Sequence, residues 1–185
     1  MDLLMPHLDG AEATRQIMAS APCAILVVTA TVSGNMPLVY EAMGHGALDA
    51  VDTPALGPGD EMHGARALVD KIGIIAKLVG STAPTTKRPP VGSTLPRLLV
   101  IGASTGGPKA LCDLLLPLPN DWSVATVVVQ HVDVTFAAGL ASWLADRTGK
   151  KVRVAAPGDA PKAGEVLIAG TNDHLVLMHA SEQAA

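Results

Sequence analysis

Leu98 to Gly107 reads LLVIGASTGG, an apolar run of strand length that ends abruptly in glycines around a serine and a threonine. Within it, Gly102-Ala103-Ser104-Thr105-Gly106 has the form G-x-S-x-G. A sharp turn at the carboxyl end of a strand lifts a serine hydroxyl clear of the sheet, and flanking glycines remove the Cβ clashes that would block such a turn. The first N–H groups of a following helix then face the same space, where they and the helix dipole can stabilise an oxyanion. Ser104 is therefore a candidate nucleophile, set in a strand–turn–helix unit that predicts an α/β fold with a mainly parallel sheet.

Two other glycine-loop chemistries fit poorly. A phosphate-binding P-loop needs Gly-Lys-Ser/Thr after its second glycine, whereas Gly107 is followed by Pro108 and Lys109. A dinucleotide fingerprint needs glycine where Ser104 stands. The bland alternative, a serine that only caps a helix, is countered by His131. A serine hydroxyl is a weak nucleophile at neutral pH and needs a base within hydrogen-bonding reach. His131 follows VATVVVQ, the next strand-like run. One βαβ crossover would bring it to the same sheet edge as Ser104, where open α/β sheets bind ligands. Alone, a histidine after a strand is more often structural; paired with the serine turn at this spacing, it becomes a candidate general base. The third member, an orienting carboxylate, stays open. Asp133, Asp146, Asp159 and Asp173 are available, and none stands at a further strand end.

Outward from this centre, further elements follow. A helix is expected at about 107–116. Another, at about 135–146, carries Phe136, Leu140, Trp143 and Leu144 on one side. Short strands are expected at 152–155, 166–169 and 175–178. Toward the N-terminus, Gly80 to Pro96 draws 12 of its 17 residues from Gly, Ser, Thr and Pro. Such a segment buries too little apolar surface to offset its ordering entropy, so it is expected to be a linker. Before it, helices are expected at 11–20 and 35–43 and strands at 24–28 and 47–51. A helix at 60–79 should bury Met62, Ala65, Val69, Ile72, Ala76 and Val79, spaced by threes and fours. The expected organisation is thus 1–79, a linker at 80–96, and 97–185. The sequence opens on what reads as a strand's end and stops soon after another, so both ends are expected to be cut.

Whole-chain properties narrow the class. Of 185 residues, 49% are hydrophobic and 16% charged, which predicts a compact soluble protein rather than a disordered one. Net charge is −4 and aromatics make up 2%, which leaves neither a basic footprint nor stacking platforms for nucleic acid. No apolar run approaches the roughly 18 residues of a membrane-spanning helix. Cys23 and Cys112 have no CxxC spacing and are expected to be buried thiols in a reducing compartment, which implies a cytoplasmic protein.

At this point a resemblance enters. IGASTGGPKAL, QHV and PKAGEVLIAGTNDHLVL resemble the catalytic domain of the chemotaxis response regulator protein-glutamate methylesterases. DLLMPHLDG, ILVVTA and GALDAVDTP resemble the receiver domain of the same family. The resemblance implies a partial flavodoxin-like receiver, the linker, and then a partial doubly wound, Rossmann-like hydrolase domain. It implies hydrolysis of γ-glutamyl methyl esters on chemoreceptors, with release of methanol, and deamidation of receptor glutamines. Ser104 would be the nucleophile, His131 the general base, and Thr105 the residue whose backbone N–H faces the oxyanion. Asp2 would be the phosphoacceptor of D-x-x-M-P and Thr29 the switch hydroxyl. Mg²⁺ would sit beside Asp2, although the acidic pair that completes its site is absent from this sequence. Thr53-Pro54 stands where the pattern has Lys-Pro, which weakens the case for ordinary phospho-switching. The implied partners are methylated chemoreceptors and a histidine kinase, with the protein peripheral to the membrane. His174, in NDHLVL, is expected near the edge of the active site.

The family's orienting aspartate would lie beyond Ala185, so this chain alone is expected to be inactive or nearly so. Two alternatives remain: a receptor-binding regulatory module without catalysis, and a generic acyl hydrolase of small esters.

Overall fold

The structure is a computed structural model, and it describes residues 1–56, 62–80 and 98–178. The expected linker at 80–96 lies outside them apart from Gly80. The chain begins beside a parallel strand: the Met1 amine donates to Leu26 O at 2.9 Å and Val28 N donates to Met1 O at 2.7 Å. Helix α1 (Gly10–Ser20) follows at once. Asp9 caps it by accepting the Glu12 N–H, and Glu12 supplies a negative charge to the first turn. Strand β1 (Leu26–Thr29), helix α2 (Met36–Gly44) and strand β2 (Asp49–Asp52) come next, with β1 and β2 paired in parallel. Strands β3 (Ala55–Leu56) and β4 (Met62–His63) form a small antiparallel pair. Helix α3 (Ala65–Gly80) closes this half.

The second half is one four-stranded sheet, entirely parallel. Its strands are β5 (Leu98–Ala103), β6 (Ala125–Gln130), β7 (Lys151–Val154) and β8 (Glu165–Ile168), in the order β5-β6-β8-β7. Helix α4 (Gly107–Leu115) joins β5 to β6, and α5 (Val134–Thr148) joins β6 to β7. Most of β6 is buried, as a strand covered on both faces must be. Asp133 caps α5, and Gly149 ends it in the left-handed region at φ 67°. The expected parallel α/β architecture is therefore present. Among the described residues no helix is long and apolar enough to cross a membrane.

Buried side chains from both halves join in one cluster, with Val39, Tyr40 and Met43 of α2 meeting Leu111, Leu115, Leu140 and Leu144 of α4 and α5. At its edge the Tyr40 ring stacks on Trp143 at 5.9 Å between centroids, and its hydroxyl donates to Phe136 O at 2.9 Å. Burial pushes the phenol above its ordinary range. Tyr40→Phe keeps the stack and removes only that hydrogen bond. The expected loss is about 1 kcal/mol in urea unfolding.

Three expectations fail. The stripe through Val69, Ile72 and Val79 is exposed, at 64%, 51% and 68%, and Ala76 is exposed with it. Helix α3 instead turns Leu68, Lys71 and Ile75 inward, because Lys71 Nζ reaches Asp49 Oδ1 at 2.6 Å and Ile75 packs beside it. The helix also starts at Ala65, since Met62 and His63 pair with β3 (the side chain of Met62 is outside the described residues). Leu175–Met178 forms no strand: it pairs with no sheet edge among the described residues and all four side chains are exposed. Cys23 is exposed in the loop before β1, and Cys112 is only half-buried; both are free thiols.

Candidate active site

Strands β5 and β6 run in register, with Ala103 opposite Gln130 as the last pair. The ladder extends one bond further, from His131 N to Ala103 O at 2.8 Å. Ser104 and His131 are thus each the first residue past the paired ends. Their side chains meet there, with Ser104 Oγ 3.4 Å from His131 Nδ1. This is the juxtaposition expected from a single βαβ crossover. Both residues are exposed at the mouth of a cleft of about 910 Å³.

The turn after Ser104 is built from the sequence in a legible way. Gly106 adopts φ 76°, a left-handed conformation that favours glycine, and starts α4 with Pro108 in the first turn. Gly107 N donates to Ser104 O at 2.7 Å and closes the turn. Thr105 lines the cleft, and its N–H has no acceptor among the described residues. The neighbouring Gly106 N–H is occupied: it donates to Leu48 O, from the loop before β2, at 2.7 Å.

The cleft is shared between the halves, with Leu48, Asp49 and Lys71 on one side and Ser104, Thr105 and His131 on the other. No carboxylate among the described residues bonds His131. Asp133 is committed to its helix: the Thr135 N–H and then the Thr135 hydroxyl hold its carboxyl below the usual range. Asp159 is likewise held low, chiefly by Arg153 and then by the Ala156 N–H. Asp146 stands on α5 away from the cleft, whereas Asp173 lines it without reaching the imidazole. His174 does not itself line the cleft, though Thr171, Asn172 and Asp173 before it do.

Asp2 and Thr29 lie apart from this site. Asp2 is exposed and accepts the Leu3 N–H, while Thr29 is buried at the end of β1. Neither lines the cleft. No group of three or more His, Cys, Asp or Glu among the described residues could hold a metal ion, so Asp2 alone does not make a Mg²⁺ site.

Two contributors escaped the sequence reading. One is Leu48, whose carbonyl lies far from the turn in sequence. The other is Gln130, buried beneath the serine, whose Nε2 donates to Ser104 O at 2.8 Å. Its place just before His131 was visible; the inward direction of its amide was not.

Comparison with known proteins finds relatives of both halves of the chain. Residues 99–185 match the family model described as CheB methylesterase. A protein-glutamate methylesterase/protein-glutamine glutaminase of Burkholderia thailandensis is 52% identical over 181 residues, 96% of this chain and 53% of that protein. One from Cupriavidus pinatubonensis is 52% identical over 187 residues, covering 100% of this chain and 55% of the relative. One from Pseudomonas fluorescens Pf-5 is 51% identical over 182 residues, 96% and 54% of the two chains. The chain thus spans about half the length of the curated relatives it matches. The crystal structure of the Thermotoga maritima CheB methylesterase catalytic domain is 36% identical, at a TM-score of 0.44 over 46% of each chain. Over residues 99–185, this chain is thus similar to the CheB methylesterase family.

Proposed function

We propose that the chain carries the nucleophile and base of a protein-glutamate methylesterase, which also deamidates glutamine, acting on cytoplasmic segments of methylated chemoreceptors. The observation that carries the reading is the meeting of Ser104 Oγ and His131 Nδ1 at adjacent strand ends in a family-matched segment.

The chemistry follows from the atoms. His131 Nδ1 takes the Ser104 proton as Oγ attacks the ester carbonyl carbon, which requires the neutral tautomer with its proton on Nε2. The 3.4 Å separation tightens when substrate fills the cleft. The Thr105 N–H receives the developing oxyanion. The imidazolium then gives its proton to the departing methoxide, and methanol leaves an acyl-Ser104. Water, deprotonated by the same nitrogen, hydrolyses the acyl group to glutamate and restores the serine.

The first half is proposed to be the C-terminal part of a receiver domain, with Asp2 as phosphoacceptor, Thr29 as switch hydroxyl and a histidine kinase as phosphate source. In the unphosphorylated state this half covers the cleft, a reading supported by the bond from Gly106 N to Leu48 O. Deleting residues 1–80 from an otherwise complete enzyme is therefore expected to raise turnover, measured as methanol release; unchanged turnover would contradict the cover.

The lack of a carboxylate on His131 among the described residues favours a second reading, a receptor-binding module without catalysis. The test is methanol release from a methyl-esterified receptor fragment. It is run on this chain and on a chimera that adds the parts of the Burkholderia relative outside the match. Turnover by the chimera supports the esterase. Receptor binding with no turnover by either protein supports the module.

A further inference from the structure

Gln130 is the one strongly buried amide at the site, at 8% exposure, and the serine chemistry just described makes no use of it. Its Nε2 donates to Ser104 O at 2.8 Å and approaches His131 O at 3.4 Å. Among the described residues its Oε1 has no hydrogen-bond partner. A Cβ on Gly107 would overlap that oxygen, so glycine at 107 is what admits the amide beneath the turn.

The consequence lies in the peptide between Ser104 and Thr105. Peptide units are planar and trans, so their C=O and N–H point in opposite directions. Two donors, Gln130 Nε2 and Gly107 N, hold the Ser104 carbonyl toward the buried side. The Thr105 N–H is thereby turned the other way, toward the cleft that Ser104 and Thr105 line, where it has no acceptor among the described residues. Gln130 Nε2 adds to the Gly107 N–H a donor from outside the turn, so the carbonyl is held from two directions.

We propose that Gln130 is a positioning residue which, by clamping the Ser104 carbonyl, aims the Thr105 N–H at the oxyanion. The inference rests on the hydrolase reading of Ser104. Gln130 touches neither substrate nor the reacting atoms; it acts through the peptide.

The test uses the full chain with Gln130→Met, which keeps the volume and removes both the donor and the orphan acceptor, and Gln130→Glu. The first readout needs no activity. In wild-type protein, NMR is expected to detect scalar coupling across the hydrogen bond from Gln130 Nε2 to the Ser104 carbonyl carbon. In Gln130→Met the Thr105 amide signal is expected to move or broaden, while amides along β5 and β6 stay in place. The second readout is hydrolysis of a glutamate methyl-ester peptide by the chimera described above, with and without the same substitutions. Gln130→Met should lower kcat by about 10²-fold with KM unchanged, the loss seen when one oxyanion donor is misplaced.

Gln130→Glu supplies the discriminating pH profile. A protonated carboxyl can donate to the Ser104 carbonyl and a carboxylate cannot, so the ratio of variant to wild-type kcat should rise as pH falls. An unmoved Thr105 amide, a loss under about 2-fold, or a pH-independent ratio would each overturn the proposal. So would failure of both variants to fold, which would make Gln130 a structural residue only. Absence of wild-type turnover would count against the hydrolase reading, and the amide signals would still decide whether Gln130 aims the peptide.

Discussion

In the chimera that adds the relative's parts outside the match, Ser104→Ala is expected to abolish ester hydrolysis, a fall of at least about 10⁴-fold in kcat, with the fold untouched. The side chain is exposed and its hydroxyl meets only His131, so its removal should change unfolding free energy by less than about 0.5 kcal/mol. Among the described residues, nothing else at this edge pairs a hydroxyl or thiol with His131. Thr105 sits at the next position in the turn, but no base stands at its side chain among the described bonds. Methanol release gives the rate, and a fluorophosphonate probe that labels activated serines should mark the wild-type protein and miss the variant. His131→Ala should lose about as much, and the double variant no more, because the two groups act as one unit. Wild-type turnover by Ser104→Ala would show that the ester is opened by some other group.

The largest effect on stability is expected at Leu140. This side chain is fully buried in α5, within the cluster that joins α2 of the first half to α4 and α5 of the second. Leu140→Ala removes the transfer free energy of the lost atoms and leaves a cavity that packed neighbours fill only in part, together about 3 kcal/mol. Because both halves share this cluster, unfolding followed by Trp143 fluorescence and by far-UV circular dichroism should shift together. Separate transitions for the two signals would mean that each half keeps its own core.

The parallel sheet and the serine–histidine pair were legible because each is written locally. LLVIGA and VATVVVQ are continuous apolar runs, the mark of strands covered on both faces, and each ends just before the residue that carries chemistry. The helices expected at 11–20 and about 135–146 begin one residue earlier, at Gly10 and Val134, where Asp9 and Asp133 cap them. Helix α3 was not legible, because it carries two stripes. One runs through Val69, Ile72 and Val79, the other through Leu68, Lys71 and Ile75. The apolar count favours the first, yet the second is buried, selected by an ion pair between Lys71 and Asp49, 22 residues away. Leu175–Met178 has a strand's composition, but a strand also needs an edge to pair with, and composition does not supply one. The amide of Gln130 and the carbonyl of Leu48 were hidden for a related reason. Their roles are directions in space set by contacts distant in sequence, which leave no periodic trace.

The bond between Gly106 N–H and the Leu48 carbonyl has a thermodynamic side. Any anion drawn to the Gly106 N–H must first displace that carbonyl, so occupancy of the turn and release of the first half are linked. Linkage is reciprocal: whatever loosens the first half by a given factor raises the affinity of the turn for such an anion by the same factor. A tetrahedral oxyanion mimic that engaged this N–H would therefore also be a wedge. It would pry the two halves apart with part of its own binding free energy, and its measured affinity would record how firmly they were closed.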